Sequence, residues 1–227
     1  MGFAALNPSF VVMAPSENTA FQASVLSIIA GYADTIGYLS FGAFAGLMTG
    51  NTVLLGIALF SREPLRALQN LFIIAMFLSG VGTSAVLRRV GFTLRMLLLL
   101  EATALVAAAF LAANIAAPTL AFAMGIQNAA ATHFSGATLN TVFLTGNLQK
   151  LTQAVVSRLG GPRPSHSDAG IGVLALVYAG YFIGVLLGAA AQLYVRRPLL
   201  LAVLLLPVSL LPFRHTTDTA AGTRDSG

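Results

Sequence analysis

The chain has 227 residues, of which 57% are hydrophobic and 8% charged, and its mean hydropathy is +0.85. Soluble domains carry about 25% charged residues, so this composition excludes a water-facing globular surface and points to the bilayer as solvent. The net charge of +5 and the pI near 10.2 do not mark a nucleic-acid binder, because the basic residues sit singly or in pairs at the ends of apolar runs and form no basic face.

The first 19 residues read as an extension without the basic n-region and cleavage site of a secretory signal. From Ala20 to Phe60 the only charge is Asp34. One straight helix over those 41 residues would be about 60 Å long, against a hydrocarbon core of about 30 Å. The run therefore folds back, either as two spans joined near Phe41 to Gly46 or as one span followed by a re-entrant piece. Gly37, Gly42, Gly46 and Gly50 all offer a break point. Further apolar segments are predicted at Leu68 to Leu87, Leu94 to Ala113, Thr119 to Ser135, Ala137 to Val156, Ile171 to Val195 and Leu199 to Phe213. The polar residues 214–227 read as a disordered tail.

A repeat shows once the motifs are aligned. Met48-Thr49-Gly50-Asn51 returns as Leu144-Thr145-Gly146-Asn147, and Gly31-Tyr32-Ala33-Asp34 before the first copy matches Gly125-Ile126-Gln127-Asn128 before the second. Arg88-Arg89 closes the third segment of the first half as Arg196-Arg197 closes that of the second. The expected fold is an all-α integral membrane protein, a polytopic helix bundle of two duplicated modules over residues 20–113 and 114–213, with six to eight spans from eight hydrophobic segments. Four crossings per module give parallel repeats and three give inverted ones.

The stretch GYADTIGYLSFGAFAGLMTGNTVLLG from Gly31 to Gly56, with the second L-T-G-N and the late Arg-Arg-Pro step, resembles the YoaK family of bacterial multi-pass membrane proteins. The similarity runs from Ser24 to Phe213 and is most specific at the G-Y-x-D and M-T-G-N pairs. It implies a multi-pass architecture in a bacterial inner membrane, and it supplies no activity.

Asp34 is the strongest pointer to function, since a charge in a span costs about 2.5–3.5 kcal/mol on insertion scales. Ser24, Ser27, Gly31, Asp34 and Tyr38 fall on one helical face, expected to meet protein or water, or simply to pack. In the T-G-N pieces, Gly allows a helix to break while Thr and Asn can bond the backbone groups a break frees. Lys150 follows Asn147 where the first half has Leu54, so an ion pair with Asp34 and simple snorkelling are both open. Glu101 stands alone in an apolar run, either as a proton site or packed on a polar partner. Gly180, Gly184 and Gly188 form a small-residue packing seam. The candidate solute-binding set is Asp34, Tyr38, Thr49, Asn51, Asn128, Asn147 and Lys150, and the candidate proton-coupling pair is Asp34 and Glu101.

Enzyme chemistry is not expected. There is no cysteine, His133, His166 and His215 are scattered, His133 and Ser135 are two apart and diverge on a helix, and no glycine-rich phosphate loop is present. No cofactor or metal is expected either. The sequence reads as a small secondary transporter or permease of the bacterial inner membrane, with lipid and a small solute as partners and no nucleic acid. A non-transporting scaffold or sensor is the alternative.

Overall fold

A computed structural model describes residues 17–131, 148–149, 151–153, 155–156 and 167–210. Among them are seven helices: α1 (Glu17–Phe41), α2 (Met48–Phe60), α3 (Pro64–Arg89), α4 (Leu94–Phe110), α5 (Ala113–Ala131), α6 (Ser167–Tyr194) and α7 (Leu199–Ser209). Residues 148–149, 151–153 and 155–156 are helical too, and no strand occurs among the described residues. Asn147, Lys150 and the second T-G-N motif lie outside the described residues, as do the 1–16 part of the extension and the 214–227 tail.

Local chemistry sets the helix ends. Pro64 opens α3 at its first turn, where its missing N–H removes no helical bond, and Arg88 and Arg89 lie against the negative end of the helix dipole. Gly91 at φ 94° then turns the chain, with the Phe92 N–H bonded to the Leu87 carbonyl at 3.0 Å and the Gly91 N–H to that of Arg88 at 3.2 Å. Thr93 caps α4 by accepting from the Met96 N–H at 3.4 Å. The α2–α3 turn repeats the α3–α4 geometry with Arg62 at φ 56° where a glycine is usual.

Helix α1 is the centre of the bundle: 61% of its apolar window is buried, against 28% for α3 and α6. These three helices are long and apolar enough to cross a membrane. Helix α1 packs on α6, α7 and α5; α3 packs on α5 and α2; α4 packs on α5 and α7. The polar residues Ser27, Asp34, Asn51, Ser84, Glu101, Gln127 and Asn128 are buried, while Leu65, Leu68, Leu78, Phe182, Leu186 and Leu193 face outward. Polar inside and apolar outside is the arrangement that a lipid surround stabilises.

Two glycine crossings bring backbones into contact. A Cβ on Gly184 would run into the Ile28 carbonyl, and one on Gly31 into the Tyr181 carbonyl. In the other pair, Gly80 lies on the Phe122 carbonyl and Gly125 on that of Phe77. The predicted seam is thus a packing surface, Gly180 and Gly188 meeting α1 at Ser24 and at Tyr32 and Thr35. Because Ser24 pairs with Gly180 and Thr35 with Gly188, α1 and α6 run in the same direction.

Hydrogen bonds gather several helix ends at one end of the bundle. Gln69 Nε2 donates to the Phe41 carbonyl at 3.1 Å, Ser40 Oγ to Gln192 Oε1 at 3.2 Å, and Arg197 Nη1 to the Ala109 carbonyl at 2.8 Å. The start of α5, at Ala113 and Asn114, borders the same region beside Ser40, Phe41 and Leu65.

Replacing Gly184 by Ala is expected to lower stability by about 1–3 kcal/mol through overpacking. Gly82, with nothing within 4 Å of an added Cβ, gives the control. Gly82→Ala should be neutral or stabilising by up to about 1 kcal/mol, as helix propensity dictates. Thermal unfolding of both variants in detergent checks this, and equal stability would rule out the close crossing.

Candidate functional site

Helix α1 stops because Gly42 adopts φ 70°, its N–H bonded to the Tyr38 carbonyl at 2.9 Å. Six residues, Gly42 to Leu47, then run without helix before α2 begins. Ala43, Ala45 and Gly46 are buried in this stretch, so their backbone groups need partners from the protein.

Asp34 partners two N–H groups at the end of this stretch. Its Oδ1 accepts from the Gly46 N–H at 2.6 Å and the Leu47 N–H at 3.2 Å, and its Oδ2 accepts from the Tyr181 hydroxyl at 2.8 Å. The carboxylate thus sits at the N-terminal end of α2, where the helix dipole favours negative charge. Asn51, fully buried on the first turn of α2, clamps the loop from the other side. Its Oδ1 accepts from the Phe44 N–H and its Nδ2 donates to the Phe44 carbonyl, both at 2.8 Å.

The remaining motif residues shape the contact surfaces. Tyr38 stacks on Phe44 with ring centroids 4.9 Å apart. Gly50 leaves room for the Phe44 ring, which an added Cβ would meet at 2.8 Å. Gly37 lets the loop lie on α1, its Cβ position being 2.8 Å from the Ala43 carbonyl. The chain therefore leaves α1 at Phe41, folds back to the level of Asp34, and returns along α2 to Glu63 and Gln69 beside Phe41. A cavity of about 630 Å³ remains at that end, lined by Tyr38, Phe41, Leu54, Ile57, Gln69 and Asn70 among others. Asn70 is buried there with its Oδ1 unpartnered among the described residues.

The structure separates the other predicted residues. Tyr38, on the face with Ser24, Ser27, Gly31 and Asp34 that is expected to meet protein or water, is 48% exposed, stacks on Phe44 and lines the cavity. Thr49 is exposed on α2 and takes no part in the clamp, in contrast to the expected pairing of Thr and Asn. Asn128 is buried on α5 with Oδ1 unpartnered among the described residues. Glu101 is fully buried on α4, and neither carboxyl oxygen finds the expected polar partner among the described residues. Sequence reasoning missed Tyr181, Phe44 and Asn70. Tyr181 had one signal, a polar tip inside the glycine seam between Gly180 and Gly184.

Asp34→Ala strands the buried Gly46 N–H and the half-buried Leu47 N–H and is expected to cost about 1–3 kcal/mol of stability. Asp34→Asn keeps an acceptor for Gly46 and Leu47, and the Tyr181 hydroxyl can turn to accept from the new amide, so its loss should be the smaller. Asn51→Ala should resemble Asp34→Ala. Thermal melts of the three proteins in one detergent test the ranking, and equal melts for the Ala and Asn variants at position 34 would refute the backbone role.

Residues 22–211 match the family described as protein of unknown function (DUF1275). The UPF0700 transmembrane protein YoaK of Bacillus subtilis (strain 168) is 30% identical, over 74% of this chain and 82% of that protein. No solved structure matches the chain. With the apolar helices described above, these likenesses make it a helical membrane protein, and the chain belongs to the DUF1275 family.

Proposed function

We propose that this protein is a small-solute permease of the bacterial inner membrane, built from two inverted modules of three spans, the first carrying a re-entrant hairpin. The observation that carries the reading is the buried break between α1 and α2: a half-helix begins inside the bundle beside Asp34 and ends next to a cavity of about 630 Å³. Broken helices at membrane depth are tolerated where protein buries them or where they line a cavity, and transporters use them in this way.

Packing supports the duplication. Exchanging α1 with α5, α3 with α6 and α4 with α7 turns the α1–α6 contact into α5–α3 and the α1–α7 contact into α5–α4. The glycine crossings obey the same exchange, since Gly31 and Ile28 correspond to Gly125 and Phe122, and Gly184 and Tyr181 to Gly80 and Phe77. In this frame α1, α3 and α4 are the spans of the first module and α5, α6 and α7 those of the second, which makes the modules antiparallel. Counted along the sequence, seven arginines then flank the end where α1 begins and four the other, which favours a cytoplasmic start for α1.

The modules differ at the point of interest. Asp34 with Tyr181 in the first corresponds to Asn128 with Phe77 in the second, so carboxylate and phenol are replaced together. A carboxylate at this position in one module and a neutral amide at the corresponding position in the other give the two modules different responses to protons. Asp34 and Glu101 are the carboxylates through which proton coupling would run. The scaffold reading draws its support from the same bonds, since the polar atoms of Asp34 and Asn51 are taken up by their own module and by Tyr181.

Uptake distinguishes the two. Proteoliposomes with an imposed pH gradient, exposed to a pool of small polar metabolites and read by mass spectrometry of their contents, should accumulate at least one compound above protein-free vesicles. Asp34→Asn, which keeps the fold, should accumulate it without response to the gradient. Uptake equal to that of empty vesicles across the pool would favour the scaffold.

A further inference from the structure

The junction of α6 and α7 carries two arginines that form no ion pair among the described residues. No acidic residue occurs between Asp168 and Asp218, and the ion pair seen among the described residues, Arg66 with Glu63, is at another turn. Arg197 is nonetheless held in place. Its Nη1 donates to the Ala109 carbonyl at 2.8 Å, and its guanidinium lies 4.1 Å from the centroid of the Phe110 ring. The carbonyl engages Nη1 and the ring covers one face, leaving the rest of the donor fork for another acceptor.

Beside this fork is a cavity of about 660 Å³, lined by Arg196, Arg197, Ala109, Val195, Leu200 and Leu201. Cationic donors form one part of its wall and aliphatic side chains the rest. The outward neighbours Leu193 and Tyr194, 77% and 85% exposed, continue the apolar surface away from it. A site for a free anion needs only the donors. Donors at a helix junction above aliphatic walls match a phosphodiester joined to acyl chains, and basic pockets between membrane helices bind such headgroups.

We propose that Arg196 and Arg197 form a binding site for the phosphodiester headgroup of an anionic lipid, whose first methylenes lie against Val195, Leu200 and Leu201. Arg197, already fixed by Ala109 and Phe110, is the preorganised half of the site, because ordering a long side chain on binding costs affinity. Arg196 supplies the second charge. Occupancy would fasten the end of α4 to the start of α7, the contact that Arg197 already makes.

The test uses the full chain, delipidated in a neutral detergent, with phosphatidylglycerol, phosphatidylcholine or inorganic phosphate as probes. Phosphatidylglycerol at about tenfold its Kd should raise the melting temperature by about 3–6 °C. Phosphatidylcholine and inorganic phosphate at equal phosphate should leave it unchanged. Arg196→Gln should lose most of the shift and Arg196→Gln with Arg197→Gln all of it. Removing Arg197 also removes the Ala109 bond, so native mass spectrometry of the single Arg196→Gln variant gives a second readout: the wild type keeps a phosphatidylglycerol adduct and the variant sheds it. An equal shift with phosphatidylcholine, or full retention of the adduct in Arg196→Gln, would overturn the proposal. A shift with inorganic phosphate alone would assign the site to a free anion and overturn the lipid as its occupant.

Discussion

The carboxylate of Asp34 accepts the N–H groups of Gly46 and Leu47, and the path of the chain in the first half depends on those bonds. A peptide segment that leaves a helix inside an apolar bundle carries donors and acceptors that water cannot reach, and each unsatisfied group costs of order kilocalories per mole. Asp34 meets two of the donors and Asn51 closes both polar groups of Phe44. With those satisfied, α2 can start in the interior and return to the end from which α1 left. Tyr181 completes the carboxylate's bonds and ties the hairpin to α6, so a local break is fastened to a helix 147 positions away.

That tie is possible because α1 and α6 approach backbone to backbone. Gly31, Gly184 and Gly188 leave no side chain between the helices, which brings the Tyr181 ring into reach of Asp34. In a bilayer, where burying apolar surface between helices gains little over lipid, close packing of this kind is a main source of association. The crossing of α3 with α5 uses Gly80 and Gly125 in the same manner, but it carries Phe77 and Asn128 where the α1–α6 crossing carries Tyr181 and Asp34. The two crossings therefore share their packing and differ in the chemistry beside it.

Much of this was legible in the sequence, for physical reasons that also mark where legibility stopped. Long spans such as α3 and α6 follow from apolar runs whose length the bilayer dictates, and the excess length of Ala20 to Phe60 announced a fold-back. Four glycines offered themselves as its break. The structure gives them separate duties that composition cannot rank: Gly42 takes the positive φ, Gly46 donates to Asp34, and Gly37 and Gly50 give clearance. Helical periodicity put Ser24 to Tyr38 on one face, but it could not show that the face changes partner along its length, from α6 at Ser24 and Gly31 to the returning loop at Tyr38. Thr49 illustrates the same limit. Its type suits a backbone bond, while its position on α2 turns it outward. The partnership of Asp34 with Tyr181 has no local signature at all, because it arises only when two distant helices cross.

In the proposed topology the α1–α2 hairpin re-enters and does not cross, so that Ser61 and Arg196 lie on the same side of the membrane. The native absence of cysteine allows a direct measurement with single cysteines at Ser61, Val90, Ala112 and Arg196, labelled by a membrane-impermeant maleimide on intact and on permeabilised cells. Ser61, Ala112 and Arg196 should label from one face and Val90 from the other. Labelling of Ser61 and Arg196 from opposite faces would mean that α2 crosses the bilayer, and would contradict that topology.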